Sequence, residues 1–176
     1  MLSSFRQIIR KLQSHLSDEF FSFPQGNTDS EWAFALFLQL LSIHISPLSP
    51  IIPHALLRKA MLETIYKINE FTEELGGVVE PSLLNFCVTD GKSVVATRYI
   101  SSMMEEAASL YFSTGSSFEE YEAGGHYRMT KADKREDIIL IASEPLTFER
   151  ADWIEVPSQT CIVITPRVRP LSIPSD

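Results

Sequence analysis

The chain lacks a surplus of positive charge: 15 Lys and Arg stand against 23 Asp and Glu, for a net charge of −8 over 176 residues. A protein that grips the phosphate backbone needs a basic stripe, so a nucleic-acid partner is excluded. No apolar run approaches the roughly 18 residues that a membrane helix needs. Arg6, Arg10 and Lys11 interrupt the opening segment before the apolar stretch of a secretory signal could form. No membrane partner is expected, and the cytoplasm is the expected compartment.

The common catalytic signatures are missing as well. The seven glycines are scattered, and Gly76-Gly77 follows a helical pattern instead of opening one, so there is no phosphate-cradling loop. There is no G-x-S-x-G elbow, and the serines at 101–102 and 113–117 have ordinary turn composition. No His, Cys, Asp and Glu set has zinc-ligand spacing, and no metal or cofactor is implied. His44 and His54, ten apart, read as surface or packing histidines. The pairs Glu105-Glu106 and Glu119-Glu120 read as solvated. The two cysteines, Cys87 and Cys161, stand in apolar strand-like surroundings and are expected to be buried, unreactive thiols in a reducing compartment.

What is present is a globular composition, 44% hydrophobic and 22% charged, in a chain long enough for one domain with a sizeable core. Helical periodicity over 2–17 is followed by a linker over 17–26, then a helix from Thr28. A proline-rich loop at 46–53 leads to the longest helix, 54–75, closed by Gly76-Gly77. The period then changes to that of strands. Runs at 81–89 and 93–100 flank Asp90-Gly91, a hairpin signal. Further strands are expected at 109–113, 126–130 and 137–143, the last fully buried. Segments 101–108, 114–125 and 131–137 read as loops or turns. The runs 153–156 and 160–165 are expected to pair as a hairpin, and the tail from 166 to be extended. Helices first and antiparallel strands afterwards make an α+β domain. It is expected to be one partial domain over 1–176, helical over 1–80 and mostly antiparallel strands over 81–176.

The most informative stretch is 25–31. Thr28 and Glu31 form a capping box: each side chain can bond the other's backbone N–H. The run 32–41 behind them is apolar on nearly every side, the mark of a buried helix. Asp29 therefore lies in the first turn of a central helix, where the helix dipole favours a carboxylate. Two readings stand: a well-made helix start, or a carboxylate that holds a ligand's ammonium group.

Gly26-Asn27-Thr28-Asp29-Ser30-Glu31, Leu84-Asn85-Phe86, Thr89-Asp90-Gly91 and Val95-Ala96-Thr97-Arg98-Tyr99 together resemble the class II glutamine amidotransferases. Ala108-Ser109-Leu110-Tyr111-Phe112, Tyr127-Arg128-Met129, Ala142-Ser143-Glu144-Pro145-Leu146-Thr147 and Trp153 with Val156-Pro157 continue the resemblance in order, over essentially the whole chain. Within the family it is nearest to the fungal glutathione-degrading branch and its bacterial relatives. The resemblance implies an Ntn-hydrolase fold, four αββα layers with two antiparallel sheets. It implies hydrolysis of a γ-glutamyl amide, glutathione or glutamine, with a role in glutathione catabolism. An N-terminal Cys is the nucleophile and its own α-amine the base. An Asn side chain and a Gly N–H hold the oxyanion, an Arg clamps the substrate carboxylate, and the Asp of the T-D-S-E motif holds its ammonium. Of these groups only Asp29 lies in a motif that this sequence contains.

Position 2 is Leu2, and the His-Thr-Arg and Asn-Gly segments of the family have no counterpart. The chain is accordingly expected to be the C-terminal part of the domain, without catalytic residues of its own and inactive alone. A non-catalytic, partner-binding regulatory subunit is the alternative, and a metallopeptidase-like protein is the partner that the resemblance suggests.

Overall fold

A computed structural model describes residues 4–76, 80–131 and 137–166. They contain helices α1 (Phe5–His15), α2 (Asp18–Phe21), α3 (Asp29–Ser42) and α4 (His54–Glu73), then strands β1 (Cys87–Thr89), β2 (Val94–Arg98), β3 (Tyr111–Gly115), β4 (Ser117–Glu122), β5 (His126–Thr130), β6 (Ile138–Ala142), β7 (Ile154–Glu155) and β8 (Thr160–Ile164). This is the expected α+β order. The described residues fall into two compact units. One is helical (5–76, 87–96, 162–166) and the other strand-rich (4, 80–86, 97–131, 137–161).

In the helical unit, α3 and α4 pack together through apolar faces. Leu36 and Leu41 of α3, and Ala60, Met61 and Ile68 of α4, are almost wholly removed from water. Burying each large side chain of this kind stabilises by about 1.5–3 kcal/mol. Thr64 and Thr72 are buried on the same helix, and their hydroxyls donate to the carbonyls of Ala60 and Ile68 one turn back. Gly76, at φ +67°, supplies the left-handed residue that ends the helix; Gly77 lies outside the described residues. The stretch 17–26, expected to be a linker, contains α2. Its placement depends on Gln39 of α3, whose amide donates to His15 O (2.8 Å) and accepts from Ser17 N (2.6 Å). One side chain thus satisfies the backbone at the break between α1 and α2.

The Asp90-Gly91 turn forms as expected. The Asp90 carboxylate accepts from Ser93 N (2.7 Å) and Lys92 N (3.0 Å), and Gly91 takes φ +84°. These backbone donors hold the Asp90 carboxyl below its ordinary range. The strand before the turn is shorter than its apolar run. Only Cys87–Thr89 pairs with β2, and Leu83 makes an isolated bridge to Ile100. Cys87 is exposed and Cys161 half-buried, so neither is the buried thiol expected; a three-residue edge strand offers too little cover.

In the strand unit, β3 lies between β6 and β7. The run 137–143 forms β6 but is not fully buried. It is an edge strand, paired on one side only, and Ile139 stays 41% exposed. The segment 114–125 is not a loop. Its acidic, serine-rich composition hides β4, which pairs with β5 because Phe118 stands opposite the buried Met129. Gly115 is required where β3 meets β5, since a Cβ there would lie 2.6 Å from Thr130 O. The expected hairpin of 153–156 with 160–165 does not exist. β7 joins β3 while β8 joins β2, in different sheets, with Gln159 at φ 60° where the chain turns away. The turn at 132–136 and the tail from 167 lie outside the described residues.

Candidate functional site

Asp29 is the first residue of α3, and the cap before it is built as its sequence predicts. Thr28 Oγ1 accepts from Glu31 N (3.3 Å), while Glu31 Oε2 accepts from Thr28 N (3.2 Å) and from the Thr28 hydroxyl (2.8 Å). Glu31 Oε1 accepts from Gly26 N at 2.9 Å, which fixes the approach to the helix as well. The Thr28 hydroxyl, and then the backbone donors, hold the Glu31 carboxyl below its usual value. Glu31 is thereby committed to the cap. Asp29 is half-buried, and its Oδ1 accepts from Ser30 N at 2.9 Å. That bond orients the carboxylate at the positive end of a 14-residue helix.

The neighbourhood of this helix start is aromatic. Phe21 packs on Trp32 with centroids 5.5 Å apart, Phe23 on Phe34 at 5.7 Å, and Phe34 stacks on Phe37 at 5.8 Å. Trp32 follows Asp29 by three residues and so lies on the same side of the helix. It is 5% exposed, and its indole Nε1 has no hydrogen-bond partner among the described residues. A buried donor left unpaired costs about 1–3 kcal/mol. Further along α3, Phe34, Phe37, Leu38 and Leu41 line a cavity of about 370 Å³ with Ile52 and residues of the β1 turn, Thr89 and Asp90 among them. Cys87 borders it; the residue as a whole is exposed, but partial burial of its thiol pushes the pKa up, opposite to what a nucleophilic thiolate needs. Asp29 does not line this cavity.

His44 pairs with Glu63 (Nε2 to Oε2, 3.0 Å), a packing role, and His54 opens α4 in an exposed position. Glu105, Glu106, Glu119 and Glu120 are all exposed. Among the described residues no three His, Cys, Asp or Glu are placed to hold a metal ion, and no helix is long and apolar enough to cross a membrane.

One polar centre escaped the reading of the sequence. Arg98 is 5% exposed, and its guanidinium donates to Ala108 O (3.1 Å), Ala107 O (3.1 Å), Val156 O (2.6 Å) and the Glu155 carboxylate (2.7 Å). Asn85 adds a bond from its amide to Ala108 O and accepts from Tyr99 N. Together they anchor the irregular segment after β2. The available signal was an arginine closing the apolar run Val94-Val95-Ala96-Thr97, where a charge needs buried partners.

No family model matches the chain. It is 50% identical over 169 residues to the probable glutamine amidotransferase DUG3 of Saccharomyces cerevisiae, a match covering 93% of this chain and 47% of the yeast protein. The chain therefore spans about half the length of that relative. Among solved structures, a glutamine aminotransferase class-II domain protein from Silicibacter pomeroyi superposes with a TM-score of 0.60 at 23% identity. That match covers 94% of this chain and 61% of the bacterial one, and it establishes the fold. With half of its aligned residues identical to the yeast protein and its helices and antiparallel strands arranged as in the bacterial domain, the chain is similar to a probable glutamine amidotransferase over about half of that protein's length and has the fold of a glutamine aminotransferase class-II domain.

Proposed function

We propose that this chain supplies the substrate-ammonium subsite of a γ-glutamyl amide hydrolase, and that Asp29 is the group that binds the ammonium. The observation that carries this reading is the division of labour at the start of α3. Glu31 is engaged in the cap, and the half-buried Asp29 carboxylate accepts from the Ser30 N–H in the first turn of a 14-residue helix, where the helix dipole favours its charge. The substrate class is glutathione or glutamine, and the reaction belongs to glutathione catabolism. Cys87 and Cys161 are internal, with no α-amine beside them to act as base, so neither fits the nucleophile. The nucleophile and the oxyanion donors are accordingly assigned to the part of the relative's length that these 176 residues do not span.

The test is glutamate release from glutathione and from glutamine. It is run with the chain alone and with the chain mixed with a polypeptide carrying the part of the yeast relative that it does not span. No release is expected from the chain alone. Release is expected from the mixture, and Asp29→Asn should lower kcat/KM by at least about tenfold, the effect of losing one charge-assisted bond. Full activity of the Asp29→Asn mixture would overturn the assignment, and hydrolysis by the chain alone would overturn the need for a second segment.

A second reading, a non-catalytic subunit that binds a protein partner, is favoured by one observation. Ile43, Leu48 and Ile51, around the proline-rich loop, are 69%, 92% and 65% exposed. A metallopeptidase-like protein is the proposed partner. Direct binding to such a protein, lost when Leu48 and Ile51 become Ser, would support it, and binding unchanged by those substitutions would remove it.

A further inference from the structure

The strand unit contains a second cavity, of about 290 Å³, in which Asp29 and its surroundings play no part. The rings of Tyr121, Tyr127 and Phe148 line it and are 49%, 37% and 76% exposed. They are nonetheless braced. Phe118 stacks on Tyr127 with centroids 5.0 Å apart, and His126 stacks on Phe148 at 5.1 Å. A break in the β4–β5 register between Glu120 and Glu122 takes Tyr121 out of the ladder. Bulges of this kind re-aim a side chain.

The charges around the cavity are equally specific. The Arg128 guanidinium lies over the Tyr121 ring, 4.6 Å from its centroid, which holds it in place. Asp152 is already neutralised by Lys131 at 3.3 Å. Arg128 and Glu149 enter no ion pair among the described residues. Among the described residues, one cation and one anion that make no ion pair within 4.0 Å therefore border the same three rings, with Glu119 of β4 opposite Arg128.

We propose that this cavity binds a free amino acid or dipeptide with an aromatic side chain. Its carboxylate meets Arg128, its ammonium meets Glu149, and its ring lies among Tyr121, Tyr127 and Phe148. A simple anion would leave Glu149 facing like charge, and a simple cation would leave Arg128 so; a zwitterion satisfies both. The volume suits a small molecule, being at the lower end of the roughly 300–1,000 Å³ of ligand pockets. The inference is independent of the hydrolase reading, since none of these residues belongs to the α3 site.

The test uses the whole chain and L-phenylalanine, followed by calorimetry and by indole emission. Trp153 is a built-in reporter: its Nε1–H donates to Thr147 Oγ1 at 2.9 Å, and Thr147 lines the cavity. Saturable binding is expected, with phenethylamine and 3-phenylpropanoate each about tenfold weaker or more, because each lacks one charge-assisted contact. In Arg128→Gln, phenylalanine should bind no better than phenethylamine; in Glu149→Gln, no better than 3-phenylpropanoate. Both residues are exposed, so the variants should fold, as circular dichroism checks. If one does not fold, the analogue series on the unaltered chain decides. No saturation by about 10 mM, single-charge analogues that bind as tightly as phenylalanine, or affinity indifferent to both substitutions would each overturn the proposal.

Discussion

The helical and strand-rich units satisfy their buried polar groups in different ways. In the helical unit the buried hydroxyls of Thr64 and Thr72 find acceptors four residues earlier in their own helix. In the strand unit Arg98 reaches carbonyls at 107, 108 and 156, and Gln159 donates to Ile100 O at 2.7 Å. The first unit rests on apolar burial, with polar repair that is local within α4 and is supplied by Gln39 at the break between α1 and α2. The second has edge strands half open to water and depends on a few long side chains to hold irregular backbone. Stability in the first unit is accordingly spread over many residues, and in the second it is concentrated in a few.

The sharpest way to break that contrast is Arg98→Met. It removes donors from three carbonyls in a nearly dry site and from the half-exposed Glu155 carboxylate, and should lower unfolding free energy by about 4 kcal/mol in denaturant titration. Leu36→Ala in α3 should cost about 3 kcal/mol, a cavity left in a core that relaxes in part. Should Leu36→Ala prove much the costlier, the strand unit does not concentrate its stability in Arg98. Gly115→Ala probes the meeting of β3 and β5, where the Thr130 carbonyl must move; a loss of about 1–3 kcal/mol is expected from the crowding. Thr28→Ala should cost about 1 kcal/mol by removing the α3 cap.

The smallest effect is a pH dependence. The Glu31 carboxyl titrates below its ordinary 4.5 in the folded chain, so its cap bonds add stability above that pH and lose it as pH falls through the lowered value. The stability gap between the parent chain and Glu31→Gln should thus be flat at neutral pH and shrink below pH 4.5. A gap that widened on acidification would show that the carboxylate is not what secures the cap.

Where bonding partners are near in sequence, the sequence was legible. The Thr28–Glu31 box, the apolar face of α4 and the Asp90-Gly91 turn each form as their spacing predicts. Where partners are distant, it was not. β4 was hidden because Glu119, Glu120 and Glu122 are solvated and only the pairing with β5 gives Phe118 its neighbours. Nothing at Pro157-Ser158-Gln159 told that β7 and β8 enter different sheets. Of the candidate site, Asp29 and its cap were readable, while the burial of the Trp32 N–H without a partner among the described residues became visible only in three dimensions.

The sequence by itself determined the start of α3, the helical period of α4, the Asp90-Gly91 turn and the motif order behind the family resemblance, because capping, amphipathic spacing and motif order are local or linear properties. Only the tertiary structure decided which strands share a sheet, how exposed β6 and Cys87 are, and that Arg98 is the polar centre of its unit. Burial and long-range hydrogen bonding depend on residues brought together from distant parts of the chain, and no spacing along the chain encodes them.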